Sequence, residues 1–283
     1  MITDRDTNKV YFSKRLTWHS TVWPGLKKAL EDHIVEYELM DGTRDIWARD
    51  YMPIQIDKDR FVRYVYDPDY LLDEPGMRTV ASEIQQFPFV GAPVVTKLII
   101  DGGNVIKCDD RVIMTDKVFV ENLRIGLSHN EVMKELERLF DRVVIIPWNS
   151  ADGWDFTGHA DGMVRYLGND RVLINNMRNH QELDWQRKEL LDIFEKEGLD
   201  VVELHYETKD RGVNDWAYIN YLQVGDNVFM PTIKNDKLDE EAAGILSAIL
   251  GADVIPVPAL SLVRANGKYG GGALNCISWT IQT

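Results

Sequence analysis

Cysteine is scarce in this chain: Cys108 and Cys276 are the two among 283 residues. They could close one bridge at most, which excludes a disulfide scaffold, and outside a secreted setting both read as free thiols. Long apolar runs are missing as well. No stretch reaches the roughly eighteen residues that a membrane-spanning helix needs, so no membrane partner is expected. The opening residues Met1-Ile2-Thr3-Asp4-Arg5-Asp6 lack the basic start and apolar core of a secretory leader, and a cytoplasmic location is the expectation. Positive charge is in deficit, with 32 Lys and Arg against 46 Asp and Glu, a net charge of −14. Such a chain repels phosphate, so nucleic acid is not an expected partner. A cationic small molecule is compatible with that field. No Cys/His cluster has zinc-ligand spacing, and no metal or organic cofactor is expected. Low-complexity tracts and Pro/Gly/Ser-rich linkers are absent too, which leaves one catalytic domain over residues 1–283 as the expected organisation.

What the chain does have is a repeat. A unit of amphipathic helix, short β-rich strand and polar loop recurs about every 50–57 residues. The periodicity predicts helices over residues 20–32, 77–87, 128–140, 183–197 and 239–250. Each is followed by a strand, at 35–39, 94–100, 143–146, 201–204 and 254–257. Ser128 with Glu131 three residues on is a capping-box signature for the third helix. Further strands are predicted near 61–66, 112–114, 172–175 and 228–231. Such units cannot bury their own faces and should pack on each other. Closed into a ring, they would leave no free sheet edge and would point five loops at one axis. The competing architecture is an open, doubly wound sheet. Its strands would alternate one to one with helices, whereas here strands outnumber helices.

In the closed ring, five loops share a site. They are Thr43-Arg44-Asp45-Ile46-Trp47-Ala48-Arg49-Asp50, Asp101-Gly102-Gly103-Asn104, Asp155-Phe156-Thr157-Gly158-His159-Ala160-Asp161, Asn214-Asp215-Trp216-Ala217-Tyr218-Ile219-Asn220 and Gly270-Gly271-Gly272-Ala273-Leu274-Asn275-Cys276. Taken singly each has a bland reading: a buried small thiol, a local ion pair, a tight turn, a structural histidine. Together they supply carboxylates, a histidine, a thiol, an aromatic face and glycines that permit close approach. Converging polar groups of this kind are the default candidate site. Cys108 and the other histidines, His19, His33, His129, His180 and His205, fall outside these loops and read as structural.

Trp47-Ala48-Arg49-Asp50, Asp101-Gly102-Gly103-Asn104, Gly158-His159-Ala160-Asp161 and the terminal Gly270-to-Cys276 run resemble, in order, the motifs of the agmatine deiminase and bacterial (Porphyromonas-type) peptidylarginine deiminase family. Ala217-Tyr218-Ile219-Asn220-Tyr221 resembles the family's fourth-unit strand. The resemblance implies an α/β pentein fold, a five-bladed α/β propeller with pseudo-five-fold repeats around a central active site. Three departures stand out: Asp101 where the family usually has Glu, Asn275 where agmatine deiminases usually have His, and a chain shorter than is typical.

By that resemblance Cys276 is the nucleophile, His159 the acid/base, and Asp50 and Asp161 the clamp on a guanidinium. Trp47, Asp101, Asn220, Gly271 and Gly272 fall to substrate binding. The implied reaction is cysteine-dependent deimination of a small guanidine compound, with agmatine to N-carbamoylputrescine, a polyamine-forming step, as the first choice. Free arginine is a competitor, since Arg264 and Lys268 could hold its α-carboxylate, and peptidyl-arginine is the other alternative. An amidinotransferase, a silent binding module on the same fold and a papain-like protease are rivals, the last having the wrong order of Cys and His. A homodimer is a candidate assembly.

Overall fold

The structure, a computed structural model, describes residues 1–84, 93–149, 155–209, 214–264 and 271–283. Among them fifteen strands form five sheets of three. The first blade contains β1 (Lys9–Ser13) and β2 (Glu36–Met40), the second β3 (Ile54–Asp57), β4 (Arg60–Val65) and β5 (Val94–Ile99), the third β6 (Ile106–Lys107), β7 (Val112–Thr115) and β8 (Val143–Ile146). The fourth holds β9 (Val164–Gly168), β10 (Arg171–Ile174) and β11 (Asp200–Glu203), and the fifth β12 (Leu222–Val224), β13 (Asn227–Thr232) and β14 (Val254–Pro258). The last strand, β15 (Ser278–Ile281), returns to the first blade and pairs antiparallel with β1, Tyr11 opposite Trp279. This pairing joins the two ends of the chain and carries Cys276, two residues before β15, into the first blade.

Every blade repeats one pattern. Its central strand is antiparallel to one neighbour and parallel to the other. A parallel pair needs a crossover of a dozen residues or more, and that requirement dictates where helices fall. The helices are α1 (Trp23–Asp32), α2 (Ala48–Tyr51), α3 (Lys117–Leu123), α4 (His129–Phe140), α5 (Asp184–Lys196), α6 (Asp236–Leu250) and α7 (Leu260–Val263). Of these α1, α4, α5 and α6 are crossovers, and they match four of the five helices expected from periodicity. The α4 capping box forms as the sequence implies: Ser128 Oγ accepts from the Glu131 N–H at 3.4 Å, and Glu131 Oε2 accepts from the Ser128 N–H at 2.9 Å. Apolar faces pack both within and between blades. Leu26 and Leu30 of α1 are buried with Val10 and Phe12 of β1 and with Phe229 and Val257 of the fifth blade.

The expected second helix, residues 77–87, does not form over its described part. Residues 75–84 make two short 3-10 turns, Pro75–Met77 and Ala81–Glu83, and residues 85–92 lie outside the described residues. Hydrogen bonds from outside the segment hold it in that form. Arg44 donates to the Arg78 carbonyl at 2.8 Å, the Arg44 N–H donates to Thr79 Oγ1 at 2.9 Å, and Arg78 donates to the Leu71 carbonyl at 3.1 Å. A helix, α3, that periodicity did not indicate packs against β5 instead. Its Asn122 brackets Ile99, accepting from the Ile99 N–H at 2.9 Å and donating to its carbonyl at 2.8 Å.

Candidate active site

Four of the five loops line one cavity of about 950 Å³, with Trp47, Asp50, His159, Asp161, Asn220, Gly271, Gly272 and Cys276 among its walls, and the Asp101–Asn104 loop stands behind His159 and Asp50. Asp50 is presented by α2, a single helical turn. Asp45 prepares that turn by accepting the Trp47 N–H at 2.9 Å, and the Arg49 N–H donates to the Cys276 carbonyl at 3.1 Å. The first and last loops are thereby stitched together. His159 and Asp161 open the 3-10 turn Ala160–Gly162. Asn220 ends the turn Asp215–Ile219, and its Oδ1 accepts from both the N–H and the thiol of Cys276, each at 3.3 Å. Asn220 thus cradles the Cys276 thiol rather than standing ready for substrate alone.

Asp101 also differs from its expected place. It does not line the cavity. Its Oδ2 lies 2.8 Å from His159 Nε2 and accepts from the Tyr70 hydroxyl at 3.0 Å. Its action on any substrate therefore passes through the imidazole. On the ring's other side His159 Nδ1 is 3.6 Å from Asp50 Oδ1. Gly103 explains the Gly-Gly pair: a Cβ there would sit 2.6 Å from His159 Nδ1 and 2.7 Å from Asp50 Oδ1. The two glycines before Cys276 separate. Gly272 backs onto the Trp47 indole, where a Cβ would come within 2.2 Å of the ring. Gly271 has φ of 113° with nothing within 4 Å of such a Cβ, so conformation rather than close approach favours glycine there. Gly272→Ala is expected to displace the indole and raise KM for a guanidine substrate at least about fivefold, with kcat less affected, because a contact made alike in ground and transition states is lost. Steady-state kinetics check it, and an unchanged KM would remove Trp47 from the binding surface.

Crowded anions set the electrostatics. Among the described residues six carboxylates line the cavity, Asp45, Asp50, Asp155, Asp161, Glu182 and Asp215, against one arginine, Arg264, and two histidines. Burial pushes Asp50 well above the usual carboxylate range; His159 opposes the rise, while Asp101 and Asp161 add to it. Burial also brings Asp45 up to about 7. For His159 burial disfavours the charge, but Asp50 and the hydrogen bond to Asp101 outweigh it and raise the imidazole to about 10. Burial, then Asp161 and Asp50, hold the Cys276 thiol well above its ordinary value. The site therefore pairs a protonated imidazole with a neutral thiol.

Several contributors were not legible as site residues. Tyr70 reaches Asp101 and stands edge-on to His159, ring centres 6.3 Å apart. His180, expected to be structural, lines the cavity with Nε2 3.1 Å from Asp215 Oδ2. Asp215 had signalled its place only by falling in a repeat loop. Arg264 lines the cavity as expected, and the Asn214 side-chain oxygen accepts from its guanidinium at 3.0 Å. Lys268 and Gly270 lie outside the described residues. No helix among the described residues is long and apolar enough to cross a membrane.

The family model of Porphyromonas-type peptidyl-arginine deiminase matches residues 17–281. No curated protein matches in sequence. Among solved structures, an agmatine deiminase from C. jejuni with substrate bound superposes with TM-score 0.72 at 17% identity, covering 99% of this chain and 95% of that one. The agmatine deiminase of Enterococcus faecalis gives 0.71 at 15%, covering 99% and 94%. DDAH from Pseudomonas aeruginosa gives 0.58 at 13%, covering 97% and 99%. The fold is the five-bladed, propeller-like α/β pentein fold of these neighbours.

Proposed function

The chain belongs to the Porphyromonas-type peptidyl-arginine deiminase family, hydrolases acting on C–N bonds of linear amidines, and on that premise we propose that it deiminates agmatine to N-carbamoylputrescine through Cys276. A guanidinium is planar and resonance-stabilised, and resists water. Asp50 and Asp161 would hold its plane by charge-assisted hydrogen bonds, with Trp47 over the cation or its alkyl arm. A cation placed beside Cys276 favours the thiolate, so the substrate itself helps ionise its attacker and the thiol proton leaves to solvent. Sulfur then bonds to the central carbon. Imidazolium His159 gives its proton to the departing nitrogen, which leaves as ammonia. The neutral imidazole next takes a proton from water, the hydroxide attacks the thiouronium carbon, and the C–S bond breaks to release the ureido product.

One observation carries the choice of agmatine: among the described residues, six carboxylates and a single arginine line the cavity. That surplus suits a substrate with a second cation at its far end and penalises one bearing a carboxylate. Arg264, held by Asn214 at 3.0 Å, favours free arginine as the second reading. Ammonia release, measured as kcat/KM for agmatine, L-arginine and an N-acyl-arginine amide at one pH without any acceptor amine, decides between them. Agmatine is expected to lead by at least about tenfold, roughly 1.4 kcal/mol. A lead of that size for the blocked arginine would overturn the substrate, and no ammonia from any of the three would overturn deimination.

A further inference from the structure

We propose that Asn275 is a positioning residue, its side-chain amide fixing the Asp161 carboxylate between the Cys276 thiol and the bound guanidinium; this rests on the reading of Asp161 as a clamp. Asn275 Nδ2 donates to Asp161 Oδ2 at 2.7 Å, and the same oxygen lies 3.5 Å from Cys276 Sγ. Asn275 does not line the cavity and is only 2% exposed, so it acts through Asp161 or not at all. Its backbone is clamped on both sides. The Asn275 N–H donates to the Asn220 carbonyl at 3.1 Å, and its own carbonyl accepts from the Ser278 hydroxyl at 2.8 Å. The amide is therefore aimed at Asp161 by the same loop that presents the thiol.

The other half of that amide makes the case. Asn275 Oδ1 is buried without a hydrogen-bond partner. An unpaired buried acceptor is costly, and an apolar side chain of the same size would avoid the cost. What the amide provides in return is the donor on Asp161. An amide donates at every pH and cannot accept a proton from its partner, so Asp161 is kept as the acceptor of the pair. With Oδ2 engaged by Asn275 and near the thiol, Asp161 Oδ1 makes no hydrogen bond among the described residues, and it is the atom we assign to the guanidinium. Without the donor, Asp161 is free to turn, and a turned carboxylate no longer meets the plane of the cation with that oxygen.

The test measures agmatine binding by calorimetry at neutral pH in a Cys276→Ser background, which needs no turnover. Asn275→Leu is expected to weaken Kd by roughly tenfold or more, the scale of one charge-assisted hydrogen bond. The melting temperature is read alongside, because the substitution removes both the unpaired oxygen and the donor to buried Asp161. Asn275→His, whose ring N–H can donate, should recover most of the loss. An unchanged Kd in Asn275→Leu overturns the proposal. So does an equal loss in both variants that tracks a lowered melting temperature, because that pattern is packing alone. A chain that binds agmatine but releases no ammonia would sink the deiminase reading while the calorimetry still decides the role of Asn275.

Discussion

Cys276→Ser is expected to lose at least about 10⁴ in kcat for ammonia release, the usual scale for removing a nucleophile, while Cys108→Ser keeps near-normal turnover. The two thiols differ in place before they differ in chemistry. Cys276 lines the cavity, its sulfur between Asn220 Oδ1 at 3.3 Å and Asp161 Oδ2 at 3.5 Å. A serine hydroxyl in that position would ionise far less readily, and one bound cation cannot make up the difference. Cys108 follows the short strand β6, 1% exposed among Ile106, Ile113 and Val144, and burial pushes its thiol up to about 12. Putting a hydroxyl there costs about 1–3 kcal/mol of stability, so activity is to be compared well below the unfolding temperature. Intact-mass measurement of a quenched reaction should find the amidino adduct on the peptide holding Cys276. Equal losses from both substitutions, or an adduct on Cys108, would move the chemistry away from the terminal loop.

The parts of this arrangement that could be read in advance are those written locally. Four crossover helices announce themselves by apolar spacing, and their strands fall within a residue or two of expectation because β-branched runs sit between turn residues. The four ordered motifs place the thiol, the imidazole and both clamp carboxylates in loops that the ring then gathers. What was not legible depends on contacts between units. Residues 77–84 carry a helical pattern, yet Arg44 from the preceding loop ties them into short turns. Asn122 gives no local sign that it will bracket Ile99 from another element. Asp101 reads as a substrate carboxylate until His159 and Tyr70, from different units, both take its Oδ2. His180 sits outside every repeat loop in the sequence and still reaches the cavity, because Asn176 and Asp215 meet there at 2.7 Å.

His159→Asn is expected to reduce kcat by at least about 10³, within the range for removing a general acid/base, although an amide can still donate to Asp101. The distinction matters because His159 holds two jobs in the geometry. It is the one group between Asp50, 3.6 Å from Nδ1, and Asp101, 2.8 Å from Nε2, and so neutralises part of a buried pair of acids. It is also the proposed proton donor to the leaving nitrogen. The first job predicts a stability effect with a defined sign. A histidine raised to about 10 from an unfolded value near 6.5 contributes stability that is complete below about pH 6.5. That contribution disappears as pH climbs through about 10. Wild type should therefore melt higher than His159→Asn at pH 6, and the gap should narrow steadily between pH 7 and pH 10. The second job predicts that turnover stays low in the variant across that whole range, since no amide moves a proton. If His159→Asn turned over agmatine normally while its melting curve shifted as described, His159 would be a structural counter-ion only. The proton given to ammonia would then have to come from a water held in the cavity.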